Sequence, residues 1–250
     1  MRILAFDTAT AATTVALWDP AAGLELELRD DPAPGERPGH ATRLLPLLAD
    51  LLERAGGGWG AVDRIAVGIG PGTFTGLRIG VATARALASA RELPLVGVSS
   101  LEALAAGAGG ELVLASENYG GPALPARLVL AVIDARRGEA FAAAWRGEEL
   151  ELEPSALRPE ALAEEARRLA AARGAAPLAV GDGALRFKEQ LEAAGAVVPP
   201  PDSQVHRIHA INHCRLAAGL HVTSPAEVAP AYLRAPDAEI AYRERHRGPK

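Results

Sequence analysis

The chain has 250 residues, 49% of them hydrophobic but only 4% aromatic, with a net charge of -5 and a single Cys. That length buries a core without covalent staples, and one cysteine, Cys214, excludes an internal disulfide. The negative balance argues against a chain that binds nucleic acid alone, because that affinity rests on Lys and Arg neutralising phosphates.

No apolar run approaches the roughly 20 residues of a membrane-spanning helix, and the first strand meets Asp7 too early for a signal peptide. The expectation is a soluble cytoplasmic protein, with no membrane partner and a core of Ala, Leu and Val. Residues 2–7, 13–18 and 24–29 read as three short strands, the third alternating Leu24, Leu26 and Leu28 with Glu25, Glu27 and Arg29. A loop rich in Pro and Gly follows. Residues 40–54 then place Leu44, Leu47, Leu48, Leu51 and Leu52 at helical spacing, with Pro46 either bending the helix or marking its start. Residues 64–70 read as a buried strand, 75–91 as a helix and 95–98 as a fifth strand.

A segment rich in Ala and Gly, 105–121, reads as a linker or surface excursion. Beyond it, 127–134, 139–145 and 149–153 read as strands, 159–173 as a helix, 178–180 as a strand and 184–194 as a helix. The second half thus repeats the order of the first, which predicts two like lobes with a cleft between them. Three antiparallel strands followed by alternating helix and strand is the pattern of a ribonuclease H-like unit. The expected fold class is α/β, with two such lobes, 1–104 and 105–250, each built on a mixed five-stranded sheet. The second lobe carries a C-terminal helix and a tail whose Arg243, Arg245, Arg247 and Lys250 form a basic end.

Several motifs carry chemistry. Asp7 ends the first strand, and Thr8, Thr10, Thr13 and Thr14 beside it offer hydroxyls to a phosphate or simply cap a tight turn. The glycine-rich run 68–80 opens a helix, so Gly72, Thr73 and Thr75 either cradle an anion or let Thr73 or Thr75 cap the helix. It has Leu77 and Arg78 where a phosphate-binding loop has lysine. Gly76, Gly80, Ala84 and Ala88 recur every four residues, flanked by Leu77, Val81 and Leu87, and make a shallow groove. Small residues at that spacing admit a second helix, or the chain's own sheet. His209 and His213, with His206 nearby, have the spacing of a metal pair but no carboxylate to complete the set. Asp134, Arg136, Arg137 and Glu139 mark a hairpin at the cleft edge, and Asp182 a strand-to-helix turn.

The motifs at 6–10, 70–80, 97–104, 133–138, 181–183 and 230–234 together resemble the TsaB (YeaZ) family over nearly the whole chain. The resemblance implies the fold of the actin, sugar kinase and Hsp70 group. It also implies a non-catalytic subunit in bacterial synthesis of N6-threonylcarbamoyladenosine in tRNA. Such a subunit forms a heterodimer with the catalytic TsaD and works with the ATPase TsaE, while TsaC supplies the threonylcarbamoyl-adenylate. In the catalytic relative two His four apart follow the strand that matches 95–98; here Ser100 and Leu104 stand there, so its metal centre is expected to be lost. The interface with TsaD would lie on the helix pair, at His40, Leu44, Leu47, Leu48, Leu51, Gly76, Leu77, Arg78, Gly80, Val81, Ala84, Leu87 and Ala88, with homodimers forming through it when the chain is alone. No metal or cofactor is assigned to this chain, ATP is expected at the level of the complex, and tRNA is reached through it. The alternatives are an ATPase or phosphotransferase using Asp7, Thr8, Thr75 and Asp134, and a metallopeptidase.

Overall fold

The computed structural model describes residues 1–33, 35–109 and 127–234. β1 (Ile3–Asp7), β2 (Thr13–Asp19) and β3 (Leu24–Asp30) form a meander, followed by α1 (His40–Ala55), β4 (Arg64–Gly70), α2 (Phe74–Arg91), β5 (Leu95–Ser99) and α3 (Ser100–Gly109). The second half holds β6 (Leu128–Arg136), β7 (Glu139–Arg146), β8 (Glu149–Leu157), α4 (Pro159–Arg173) and β9 (Leu178–Val180), then α5 (Asp182–Arg186), α6 (Lys188–Ala193) and α7 (Ala210–Gly219).

The first sheet has the order β3-β2-β1-β4-β5, antiparallel through β1 and parallel beyond it. The second repeats that plan as β8-β7-β6-β9. It has four strands among the described residues, one fewer than expected. β1 is buried along its length, so its side chains from Ile3 to Phe6 are apolar on both faces, and the charge of Asp7 at its end needs partners. Leu4 and Phe6 meet Leu44, Leu48 and Leu51 of α1 and Val81 and Ala84 of α2. Ile3 and Ala5 point the other way, onto Ala210, Ile211, Cys214 and Ala217 of α7.

The two halves exchange helices. α7, from the second half, covers the first sheet, whereas Leu101, Leu104, Ala105 and Ala108 of α3 pack on Val129, Ala131 and Ile133 of β6. Glu27 of β3 secures the start of α7, accepting from the Ala210 amide, from Thr14 Oγ1 and at 2.8 Å from the His209 imidazole. Burial raises the Glu27 carboxyl, and these partners outweigh it and hold the group below its usual range.

Several expectations are corrected. Residues 105–109, read as the start of a linker, are the last turn of α3, with Ala105 and Ala108 buried; 110–121 and the basic tail lie outside the described residues. α1 starts at His40 and carries Pro46 inside it, on its exposed side. β8 continues past Pro154, because Glu153 and Pro154 together stand opposite Ala143 in a bulge, and an edge strand tolerates a proline there. The helix expected over 184–194 is two, broken at the buried Phe187.

The groove on α2 faces inward. A Cβ at Gly76 would overlap the Thr8 carbonyl oxygen, and one at Gly80 would overlap Thr8 Oγ1. Alanine ordinarily gains about 1 kcal/mol over glycine inside a helix, but a backbone oxygen cannot swing away as a side chain can. Gly76→Ala should therefore lower unfolding stability by about 1–3 kcal/mol in urea titrations. Gly60→Ala, whose Cβ meets open space, should stay within about 0.5 kcal/mol of the parent.

Candidate functional site

Asp7 sits where β1 delivers it, at the end of the central strand, and only 1% of it is exposed. Its Oδ1 accepts from the Ala9 amide at 2.6 Å, and its Oδ2 accepts from Ser100 Oγ at 2.6 Å. His213 Nε2, from α7, lies 2.9 Å from the same Oδ2, beside it rather than in line. Below, the β4 backbone is so close that a Cβ at Gly68 would overlap the carboxylate. Burial pushes the Asp7 carboxyl up; the His213 imidazole, the Ser100 hydroxyl and the Ala9 amide more than offset it and hold the group below its usual range. Asp7 is thus a charged group enclosed by β4, α3 and α7, with its lone pairs engaged by this chain.

The turn after Asp7 is held as firmly. Thr8 Oγ1 donates to the Gly76 carbonyl at 2.7 Å, and the Thr73 amide donates to the Ala9 carbonyl at 2.7 Å. A Cβ at Gly72 would overlap that same carbonyl. The glycine-rich loop therefore closes on the chain's own turn, and one of the amides that an anion would need at the helix start is already used. Thr73 occupies the N-cap position of α2, but its side chain makes no cap bond. The expected phosphate set is split in two: Asp7 and Thr8 are sealed inside and Thr10 is half-buried, whereas Gly72, Thr73 and Thr75 line an open cleft.

That cleft, of about 250 Å³, runs between the glycine-rich loop, the β6–β7 hairpin and residues 231–234. Arg136 and Arg137 at the hairpin tip adopt φ of 64° and 52°, a region costly for side chains with a Cβ. The conformation lets the Arg136 amide reach Asp134 Oδ1 at 2.8 Å. Asp134 Oδ2 also holds Arg186 at 2.8 Å, and the Asp134 amide donates to Asp182 Oδ1 at 3.0 Å. Asp134, Arg136 and Asp182 are thus brought together on the second-half wall.

The three histidines go to different places. His206 Nδ1 lies 3.1 Å from the Gly181 amide, while its Nε2 lies 3.0 Å from the Pro199 carbonyl. His209 pairs with Glu27 and His213 with Asp7, so the spacing that would let His209 and His213 share a metal serves two separate carboxylates. Of the expected interface set, His40, Leu44, Leu48, Leu51, Gly76, Leu77, Gly80, Val81, Ala84 and Ala88 are buried in the chain's own core. His40 Nδ1 lies 2.8 Å from Thr13 Oγ1, and burial lowers its pKa. Arg78 is exposed, and Leu47 and Leu87 reach the surface in part. The outward face of the helix pair is formed instead by Leu45, Arg78, Ala82, Arg85 and Ala86.

Fold and site define an α/β protein of two similarly wound mixed sheets, whose first-strand aspartate is closed off by its own helices. Residues 37–176 match the family model described as "TsaD: tRNA N6-adenosine threonylcarbamoyltransferase". The tRNA threonylcarbamoyladenosine biosynthesis protein TsaB of Escherichia coli is 40% identical over 178 residues, covering 68% of each chain. The structure of YeaZ from Pseudomonas aeruginosa superposes with a TM-score of 0.71 and 30% identity, covering 93% of this chain and 99% of that one. The ethanolamine utilization protein EutJ from Carboxydothermus hydrogenoformans shares the fold at a TM-score of 0.50 and 13% identity, covering 85% and 90%. The chain belongs to the TsaB (YeaZ) family.

Removing His213 leaves a buried carboxylate short of a partner. His213→Ala should cost about 1–3 kcal/mol, as for a buried acceptor that loses a neighbour. Because the folded-state pKa values of Asp7 and Glu27 are depressed, their contribution is complete above the unfolded carboxylate pKa of about 4 and drains away as pH falls below it. Asp7→Asn should flatten the dependence of the urea midpoint on pH in that acid range. An unchanged acid slope would count against the network.

Proposed function

We propose that this chain is a non-catalytic scaffold and activator in the formation of N6-threonylcarbamoyladenosine in tRNA, acting in the cytoplasm. It forms a heterodimer with a TsaD-type transferase and cooperates with a TsaE-type ATPase; tRNA and any ATP are engaged by the assembly. The observation that carries this reading is the enclosure of Asp7. A metal-nucleotide complex needs free and accessible lone pairs on such a carboxylate; here the two oxygens accept from Ala9 and Ser100, and His213 covers the second. Ser100 and Leu104, at the positions where the catalytic relative is expected to keep its His pair, are both buried. Ser100 donates to Asp7, and Leu104 packs in the core against β6.

On this reading the mechanism is positional. The scaffold stabilises the competent state of its partner by contacting that state better than others. The docking face is the outward side of α1 and α2, where Leu45 is 55% exposed among Leu47, Ala82, Ala86 and Leu87, flanked by Arg78 and Arg85. The same face would pair with itself when the partner is absent. We divide the chain near residue 104 into two lobes, 1–104 and 105–250, with α3 spanning the boundary and α7 crossing back to the first sheet.

Co-purification with a TsaD-type subunit and a threonylcarbamoylation assay that omits each component in turn test the proposal together. Leu45→Glu combined with Ala82→Glu should weaken the heterodimer at least tenfold while leaving the thermal midpoint of the free chain unchanged. Undiminished co-purification would refute the docking face. ATP turnover by the isolated chain, abolished in a folded Asp7→Ala variant, would replace the scaffold with an enzyme.

A further inference from the structure

Residues 230–234, Pro-Ala-Tyr-Leu-Arg, lie along the cleft. An extended segment on the surface is mobile unless it is tied down, and this one is tied on both sides of the cleft. On the first-half side, the Ala231 amide donates to the Ile69 carbonyl at 2.8 Å. The Tyr232 ring stacks on Phe74 with centroids 5.2 Å apart, and its hydroxyl accepts from Arg78 Nε at 3.1 Å. Arg78 itself lies 3.8 Å above the Phe74 ring. On the second-half side, Leu233 packs against the core formed by Val129, Ile133 and Phe141, and Arg234 Nη1 lies 2.9 Å from Glu139 Oε2.

The division is sharp: Ala231 and Tyr232 serve the first half, Leu233 and Arg234 the second. An extended chain advances about 3.3 Å per residue, so these few residues suffice to cross the gap they line. They cross where the glycine-rich loop faces the β6–β7 hairpin, at the margin of the buried layer that α3 forms with β6. We propose that residues 230–234 are an interlobe clamp that fixes the spacing of the two cleft walls, with Tyr232 and Arg234 as its two fasteners. Release of either fastener lets the halves part about the α3–α7 layer. The clamp rests on intramolecular contacts and stands whether or not the chain docks on a transferase.

The test uses the full chain with spin labels at Ala22 in the β2–β3 turn and Glu164 on α4, both exposed, together with hydrogen exchange. In Tyr232→Ala and in Arg234→Ala, the label distance should lengthen and broaden. Exchange should quicken at least tenfold in residues 70–76 and 134–139 as well as in 228–234, while β1, β4 and β6 stay protected. Tyr232→Phe, which keeps the ring and removes only the acceptor for Arg78, should show the same changes in smaller measure and guards against a variant that fails to fold. An unchanged distance, with faster exchange confined to 230–234, would overturn the clamp and leave an ordinary docked surface segment.

Discussion

The close fit between the turn after β1 and the glycine face of α2 is the constraint on which the rest depends. Thr8 and Ala9 press into the space left by Gly72, Gly76 and Gly80, and two hydrogen bonds lock them there. That fit holds Asp7 directly over Gly68, within reach of Ser100 and of a helix supplied by the far end of the chain. A buried carboxylate is tolerable only when each of its partners is in place. The polar network under α7 and the apolar layers above β1 therefore stand or fall together.

One consequence is a change in what the aspartate does. At the end of the central strand, beside a glycine-rich loop at a helix start, a carboxylate is placed for phosphate or metal chemistry. Here its neighbours turn it inward, and it becomes a tie between α3, α7 and the first sheet. The cleft that remains is walled by threonine hydroxyls on one side and by an aspartate already held by arginine on the other.

Much of the fold is legible in the residues alone, because alternation in β3 and four-residue spacing in α1 and α4 report directly on which face is apolar. The repeat of element order likewise foretells two similarly wound sheets. What sequence pattern cannot report is what a face meets. The Gly76, Gly80, Ala84 and Ala88 stripe reads as a groove, but only the three-dimensional neighbour, Thr8, says that it is filled from within. In the same way His209 and His213 have the spacing of a metal pair, and their carboxylate partners lie at the other end of the chain. Residues 105–109 read as a linker because Ala and Gly are weak signals; Gly107 is small because the Asn212 side chain lies against it. Tyr232 and Arg234 stand in a recognisable motif, yet nothing local shows that one serves each half.

The central claim is that the chain contributes position and no chemistry, and it is tested most directly at Asp7. In a reconstituted threonylcarbamoylation reaction, at a temperature where Asp7→Asn remains folded and bound to the transferase, the account predicts the same turnover per complex as the parent. A loss of a hundredfold or more with the complex intact would contradict it and make Asp7 a catalytic residue.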